Sequence, residues 1–128
     1  MMDDEVWEMR RKTVGKVYIT HEPYERTDEG AMRSKFDLTP AARYGELHVL
    51  IPAGTSMLST VPTVRTLREK LRGFSDEDYL LPVGDPSVMM AAGAIAAEFN
   101  AGRVKVLRWD RHQKCYIPIQ IDTSGKPL

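Results

Sequence analysis

In the middle of the chain a strand-like apolar run, a helical segment and a second strand-like run follow one another, and the succession then repeats. ELHVLIP (46–52) carries almost no charge. Val61, Val64, Leu67 and Leu71 recur on one face of a helix from Val61 to Arg72, and YLLPV (79–83) is apolar again. Asp85-Pro86 then opens a second helix that runs to about Asn100, and RVKVLRW (103–109) closes the series. A strand–helix–strand unit packs its helix back onto the sheet through a right-handed crossover, which makes its two strands parallel. Two such units in succession predict a parallel core of three strands and exclude an all-helical bundle.

The punctuation agrees with these boundaries. Thr60 is placed to cap the first helix, Pro62 is tolerated in its first turn, and Gly73 suits its end. Asp85 at N-cap and Pro86 at the first helical position start the second helix, and Gly102 stops it.

The flanks add strands. VGKVYIT (14–20) alternates Val17 and Ile19 with Lys16, Tyr18 and Thr20, as a half-buried strand does. From His21 to Gly45 the chain is long and polar without a clear period, a pattern of mobile or functional segments. Phe36, Leu38 and Tyr44 are its anchors, with Asp37 or Thr39 placed to cap a short turn before Pro40. In CYIPIQID (115–122), Ile117, Ile119 and Ile121 share one face, and Pro118, which cannot donate to a ladder, marks an edge strand.

The fold class is therefore α/β: a small βαβαβ parallel core with two main helices, extended by an N-terminal strand and a C-terminal β-hairpin. ELHVLIP is expected to be central, and the first and last strands to flank the core, at least one of them antiparallel. Residues 1–13 are expected to be a polar tail, 14–122 a single domain, and 123–128 a frayed end.

Composition narrows the function classes. The chain has 128 residues, 42% of them hydrophobic and 28% charged, enough for one core without staples. Its longest charge-free apolar stretch, Ser87 to Ala97, is about half of a membrane span. The first residues, MMDDEVWEMRRK, carry charge where an export signal places apolar residues, so export by that route is not expected. Cys115 is the single cysteine, which excludes an internal disulfide and multi-cysteine zinc sites and fits a reducing compartment. Net charge is zero but uneven: residues 103–128 hold six bases against two acids. A basic end on a neutral chain points to a polyanionic partner or to lysines and arginines protecting a sheet edge.

The VGDP turn before the second helix resembles the strand-to-helix junctions that hold phosphates, yet it carries one glycine, a carboxylate and a proline that removes a donor. Neither GxxxxGK[ST] nor GxGxxG occurs, so the turn is read as a capped start. Asp85, with Thr55 and Ser56, remains a ligand site at the carboxyl edge of the sheet in the enzymatic alternative. His21, His48 and His112 show no metal spacing, and no cofactor is expected. His48 and Cys115 are read as packed side chains, and Asp76-Glu77-Asp78 as a solvated run.

Two surfaces stand out. The second helix is thin nearly all round; Met89, Gly93 and Ala97 give it a small face at four-residue spacing, suited to self-association or a protein partner. The hairpin gathers Arg103, Lys105, Arg108, Arg111 and Lys114 around Trp109 and Tyr116. Cations tracking phosphates beside aromatics that stack on bases are the pattern of single-strand nucleic-acid binders; a cross-strand aromatic pair closing a hairpin is the alternative.

FDLTPAARYGEL, LSTVPTVRTLREKL, YLLPVGDP and GRVKVLRWDRHQKCYIPIQID, in that order, resemble small uncharacterised proteins of tailed bacteriophages over about residues 17–122. The resemblance implies a viral protein made in the host bacterial cytoplasm and carries over no catalytic residue. The leading expectation is a non-enzymatic phage accessory protein that binds a macromolecule: a protein partner, a second copy or single-stranded nucleic acid. A small nucleotide- or metabolite-processing enzyme with its site near Asp85, and a minor virion component, are the alternatives.

Overall fold

Val17 to Thr20 are all buried, so the strand that contains them is covered on both faces and belongs inside a sheet. The computed structural model describes residues 15–34, 37–54 and 60–126. In chain order its elements are β1 (Lys16–His21), β2 (Tyr24–Arg26), β3 (Met32–Ser34), a 3-10 helix (Thr39–Tyr44), β4 (Glu46–Ile51), α1 (Thr60–Leu71), β5 (Tyr79–Leu81), α2 (Pro86–Phe99), β6 (Arg103–Asp110) and β7 (Cys115–Asp122). The five-stranded sheet has the order β4-β1-β5-β6-β7, parallel from β4 to β6, with β7 antiparallel at the edge. β2 and β3 pair separately as a short hairpin.

The α/β class, the successive strand–helix–strand units, the two main helices and the C-terminal hairpin follow the sequence. The strand order differs from expectation in one respect. β1 does not flank the parallel core but lies within it as a fourth parallel strand, and β4, expected to be central, is an edge. Two polar side chains account for this, one hydrogen-bonded and the other packed inside. The Thr20 hydroxyl donates to the Val83 carbonyl at 2.6 Å and accepts from the Val83 N–H at 2.9 Å. The Tyr18 ring packs on Phe74 with centroids 6.0 Å apart.

The crossovers set two unequal layers. α1 and α2 cover one face, where Tyr18, Leu50, Leu67, Leu71, Leu80, Val88 and Ile95 form the larger core. The other face carries Val17, Ile19, Leu81, Leu107 and Tyr116 and is covered by Ala41 of the six-residue 3-10 helix. The Tyr44 hydroxyl ties that helix down by donating to the Tyr116 carbonyl at 2.8 Å. Among the described residues, so short a lid leaves one end of this face open.

Three local findings refine the sequence picture. The segment after β1 contains β2, β3 and the 3-10 helix, with Gly30 (φ +85°) in the tight turn; strands of three residues have no period to detect. Asp37 accepts from the Thr39 N–H at 3.0 Å ahead of Pro40, as its position suggested, whereas Phe36 and residues 1–13 lie outside the described residues. The acidic run is not simply solvated. Asp78 is buried and accepts from the backbone N–H groups of Lys16 and Ser75, both at 2.9 Å, while Asp76 pairs with Arg103.

Candidate functional site

Counted along the chain, the five sheet strands stand in the order 2-1-3-4-5. The chain therefore leaves β1 toward one side of the sheet and β5 toward the other. Diverging connections open a crevice at the carboxyl ends of those two strands, where open α/β sheets bind ligands. A cavity of about 580 Å³ lies there, lined by His21, Glu22, Pro23, Tyr24, Pro82, Val83, Gly84, Asp85 and Met89.

Gly84 shapes it. Its φ is +87°, and a Cβ at this position would fall 2.5 Å from the His21 Cβ and 2.8 Å from the His21 carbonyl oxygen. The close approach lets His21 Nδ1 accept from the Asp85 N–H at 3.2 Å. An accepting Nδ1 leaves the imidazole proton on Nε2, which is buried without a partner among the described residues. The Asp85 carboxylate accepts from the Ser87 N–H at 2.7 Å, the helix cap its position suggested. The amides of Asp85 and Ser87 are thus already engaged, and a carboxylate stands where a phosphate would sit. The turn closes a helix. Glu22 adds a second negative charge to the cavity and raises the Tyr24 phenol above its usual pKa. Thr55 and Ser56 lie outside the described residues.

Pro82 and Val83 are also the wall of a second concavity, a groove of about 530 Å³ on the thinly covered face. Leu81, Leu107 and Pro40 supply its apolar lining, and Asp37 and Trp109 also line it. Trp109 is 43% exposed, and its ring meets Tyr116 edge-on, with centroids 5.0 Å apart and planes at 67°. Tyr116 is 6% exposed; burial, and then the Asp37 charge, pushes its phenol up. Tyr116 therefore braces Trp109 from within, and only Trp109 presents a ring to the surface. Asp37 keeps its carboxyl below the usual range through its hydrogen bonds to Thr39.

The basic hairpin residues separate into two groups. Arg103 is bound by Asp76, Nε to Oδ1 at 3.0 Å and the terminal nitrogen to Oδ2 at 3.2 Å, which lowers the Asp76 pKa and raises that of Arg103. Lys105 Nζ lies 4.3 Å from the centroid of the Tyr79 ring. Both sit toward the start of β6, away from the groove. Arg108 borders the groove but alternates with Trp109 along β6, on the face of Val104 and Val106, and Arg111 and Lys114 are exposed in the turn that follows Asp110. These three cations make no ion pair among the described residues. Asp110, the acid nearest in sequence to the turn, accepts from the N–H groups of His112 and Gln113 at 2.8 and 3.2 Å.

The remaining candidates are dispersed. On α2, Met89 lines the His21 cavity and Ala97 packs against the chain's own core, while Gly93 has open space where a side chain would project. Met90, beside this face, is 78% exposed. His48 is half-buried beside the Tyr18 ring, and Cys115 is half-buried with its Sγ 3.9 Å from Gln113 Oε1. Sequence reasoning took Asp37 or Thr39 as a cap and placed Leu81 and Leu107 only within strands, and so did not single them out as groove residues. The available signal was that Leu81 and Val83 close a parallel strand at its ligand-binding end.

Residues 15–123, most of the chain, match the family model described as Phage Pam3 gp32-like protein. No curated protein and no solved structure matches the chain.

Proposed function

The chain belongs to the Phage Pam3 gp32-like protein family, and we propose that it is a non-enzymatic accessory protein that binds a macromolecule along the carboxyl edge of its parallel strands. The groove beside Trp109 carries this reading. It is a concave apolar surface with a half-exposed indole on its rim, at the end of the sheet where ligands bind. The titratable groups along this edge argue against chemistry. His21 Nδ1 is spent on a backbone amide and its Nε2 is shut away from water, so it offers no base to a substrate. The Asp37 and Asp85 carboxylates are likewise held by backbone amides. A phage protein is made in the host bacterial cytoplasm, and its partner is sought there. No helix among the described residues is long and apolar enough to cross a membrane.

A second reading, a small-metabolite enzyme centred on Asp85, is favoured by one observation: the His21 cavity occupies the switch point of the sheet. It needs a proton acceptor that His21 and Asp85, as bonded, do not supply.

Photo-crosslinking in infected cells tests the binding role. A photoreactive side chain at position 109 or 83 should form adducts with a macromolecule, while one at Glu69, exposed on α1, should not. Equal labelling at all three positions, or none at 109 and 83, overturns the proposal.

A further inference from the structure

We infer that the macromolecule held in the Trp109 groove is single-stranded nucleic acid, with a base against the indole and the backbone passing over the Arg111–Lys114 turn. This inference rests on the binding reading above and names its partner. Charge complementarity selects the partner. Arg111 and Lys114 are exposed in the turn that continues the Trp109 strand beyond the groove, and neither makes an ion pair among the described residues. The carboxylate of Asp110 is turned onto its own loop amides. Two exposed cations in the turn beside an apolar slot, offset only in part by Asp110, suit a ligand that is anionic along its backbone and flat and uncharged along its side groups. An unpaired nucleic-acid strand has that division, and its bases stack on exposed aromatic rings.

The acid that lines the groove fixes the orientation. Asp37 repels phosphate, so the backbone must lie over the basic turn and the base must point inward across Trp109 toward Leu107 and Pro40. The Asp37 carboxylate then faces the edge of the inserted base, where it accepts hydrogen bonds from ring or exocyclic N–H groups. Duplex DNA cannot enter this way because its bases are already stacked. Single strands should be preferred over duplex.

Tyr116 holds the platform in place. Its ring braces the indole from the buried side, so Trp109 is presented in one orientation rather than mobile on the surface. Arg103 and Lys105, each occupied elsewhere, take no part.

Fluorescence anisotropy with a short labelled oligodeoxythymidylate, a mixed-sequence single strand and the corresponding duplex tests the inference, with the full chain titrated from about 50 to about 200 mM salt. Binding should weaken steeply with salt. Arg111→Ala with Lys114→Ala, both in an exposed turn, should flatten the log–log salt slope by roughly 0.7 for each cation that meets a phosphate, with the thermal midpoint unchanged. Trp109→Ala should weaken binding roughly 5- to 150-fold with little change in slope. If that variant proves unstable, the turn variant alone decides. No binding at low salt, an unaltered slope in the turn variant, or equal affinity for duplex overturns the inference. Crosslinks from position 109 to protein alone would do the same while leaving the macromolecular binding role standing.

Discussion

Replacing Thr20 with valine removes one hydroxyl from the middle of the sheet and tests what holds the wall shared by the cavity and the groove. Thr20 is fully buried, and its oxygen both donates to the Val83 carbonyl at 2.6 Å and accepts from the Val83 N–H at 2.9 Å. Valine has nearly the same shape and an equally good strand preference, so packing and β-propensity change little. What changes is that the Val83 N–H and carbonyl face a methyl group. Each hydrogen bond contributes about 0.5–1.5 kcal/mol net, and a buried group left without a partner costs about 1–3 kcal/mol. Val83 is half-buried, so water recovers part of the loss, and the expected destabilisation is about 2 kcal/mol. With a urea dependence of about 2 kcal/mol per molar, typical of small proteins, the unfolding midpoint should fall by about 1 M. Amide exchange should localise the effect, with Val83 losing more protection than Leu71 in α1. An unchanged midpoint would refute the reasoning. It would mean that the strand ladder alone holds Pro82 and Val83 and that the hydroxyl does not set the interior place of β1.

Two further perturbations probe other parts of the fold. Gly93→Ala adds a Cβ that meets nothing within 4 Å of it in the interior of α2, so helix propensity should stabilise the chain by about 0.5–1 kcal/mol; a lower thermal midpoint would show that another copy covers this face. Arg103 holds the Asp76 carboxyl below its ordinary range, so the stabilisation it gives is present above the unfolded carboxylate pKa and lost as pH falls through the folded value; Arg103→Gln should unfold with a shallower acid dependence, its curve meeting that of the parent at low pH, and parallel curves would remove the linkage.

The helices, the edge position of β7 and the Asp85 cap were legible because each depends on local spacing or on one residue's chemistry. Val64, Leu67 and Leu71 repeat at helical intervals, Pro118 cannot donate to a ladder, and an aspartate before a proline starts a helix in most contexts. Strand order depends on which polar groups find partners far along the chain. In VGKVYIT the tyrosine and threonine read as the solvent side of a half-buried strand. Both are interior, because the partners that satisfy or pack them, Val83 and Phe74, lie more than fifty residues away in sequence. ELHVLIP errs in the opposite sense: its apolar run reads as central, yet Leu47, His48 and Val49 are half-buried at the edge, and only Leu50 and Ile51 of β4 reach full burial.

The groove inherits the same difficulty, since its walls come from the segment before the 3-10 helix, the end of β5 and the hairpin, three regions that share no period. Its two ingredients read from sequence, Trp109 and the cations of the turn, gain a direction only from the third. The acid at Asp37 sets which way a strand could lie across the indole, and nothing in the hairpin sequence reveals that it is there. Once β1 is interior, however, the rest is constrained. The chain must leave β1 and β5 toward opposite faces, and among the described residues the short 3-10 helix covers the second face and leaves, at the carboxyl ends of β5 and β6, the groove that Trp109 lines. A buried threonine in the first strand thus decides which strands share the edge that stands open among the described residues.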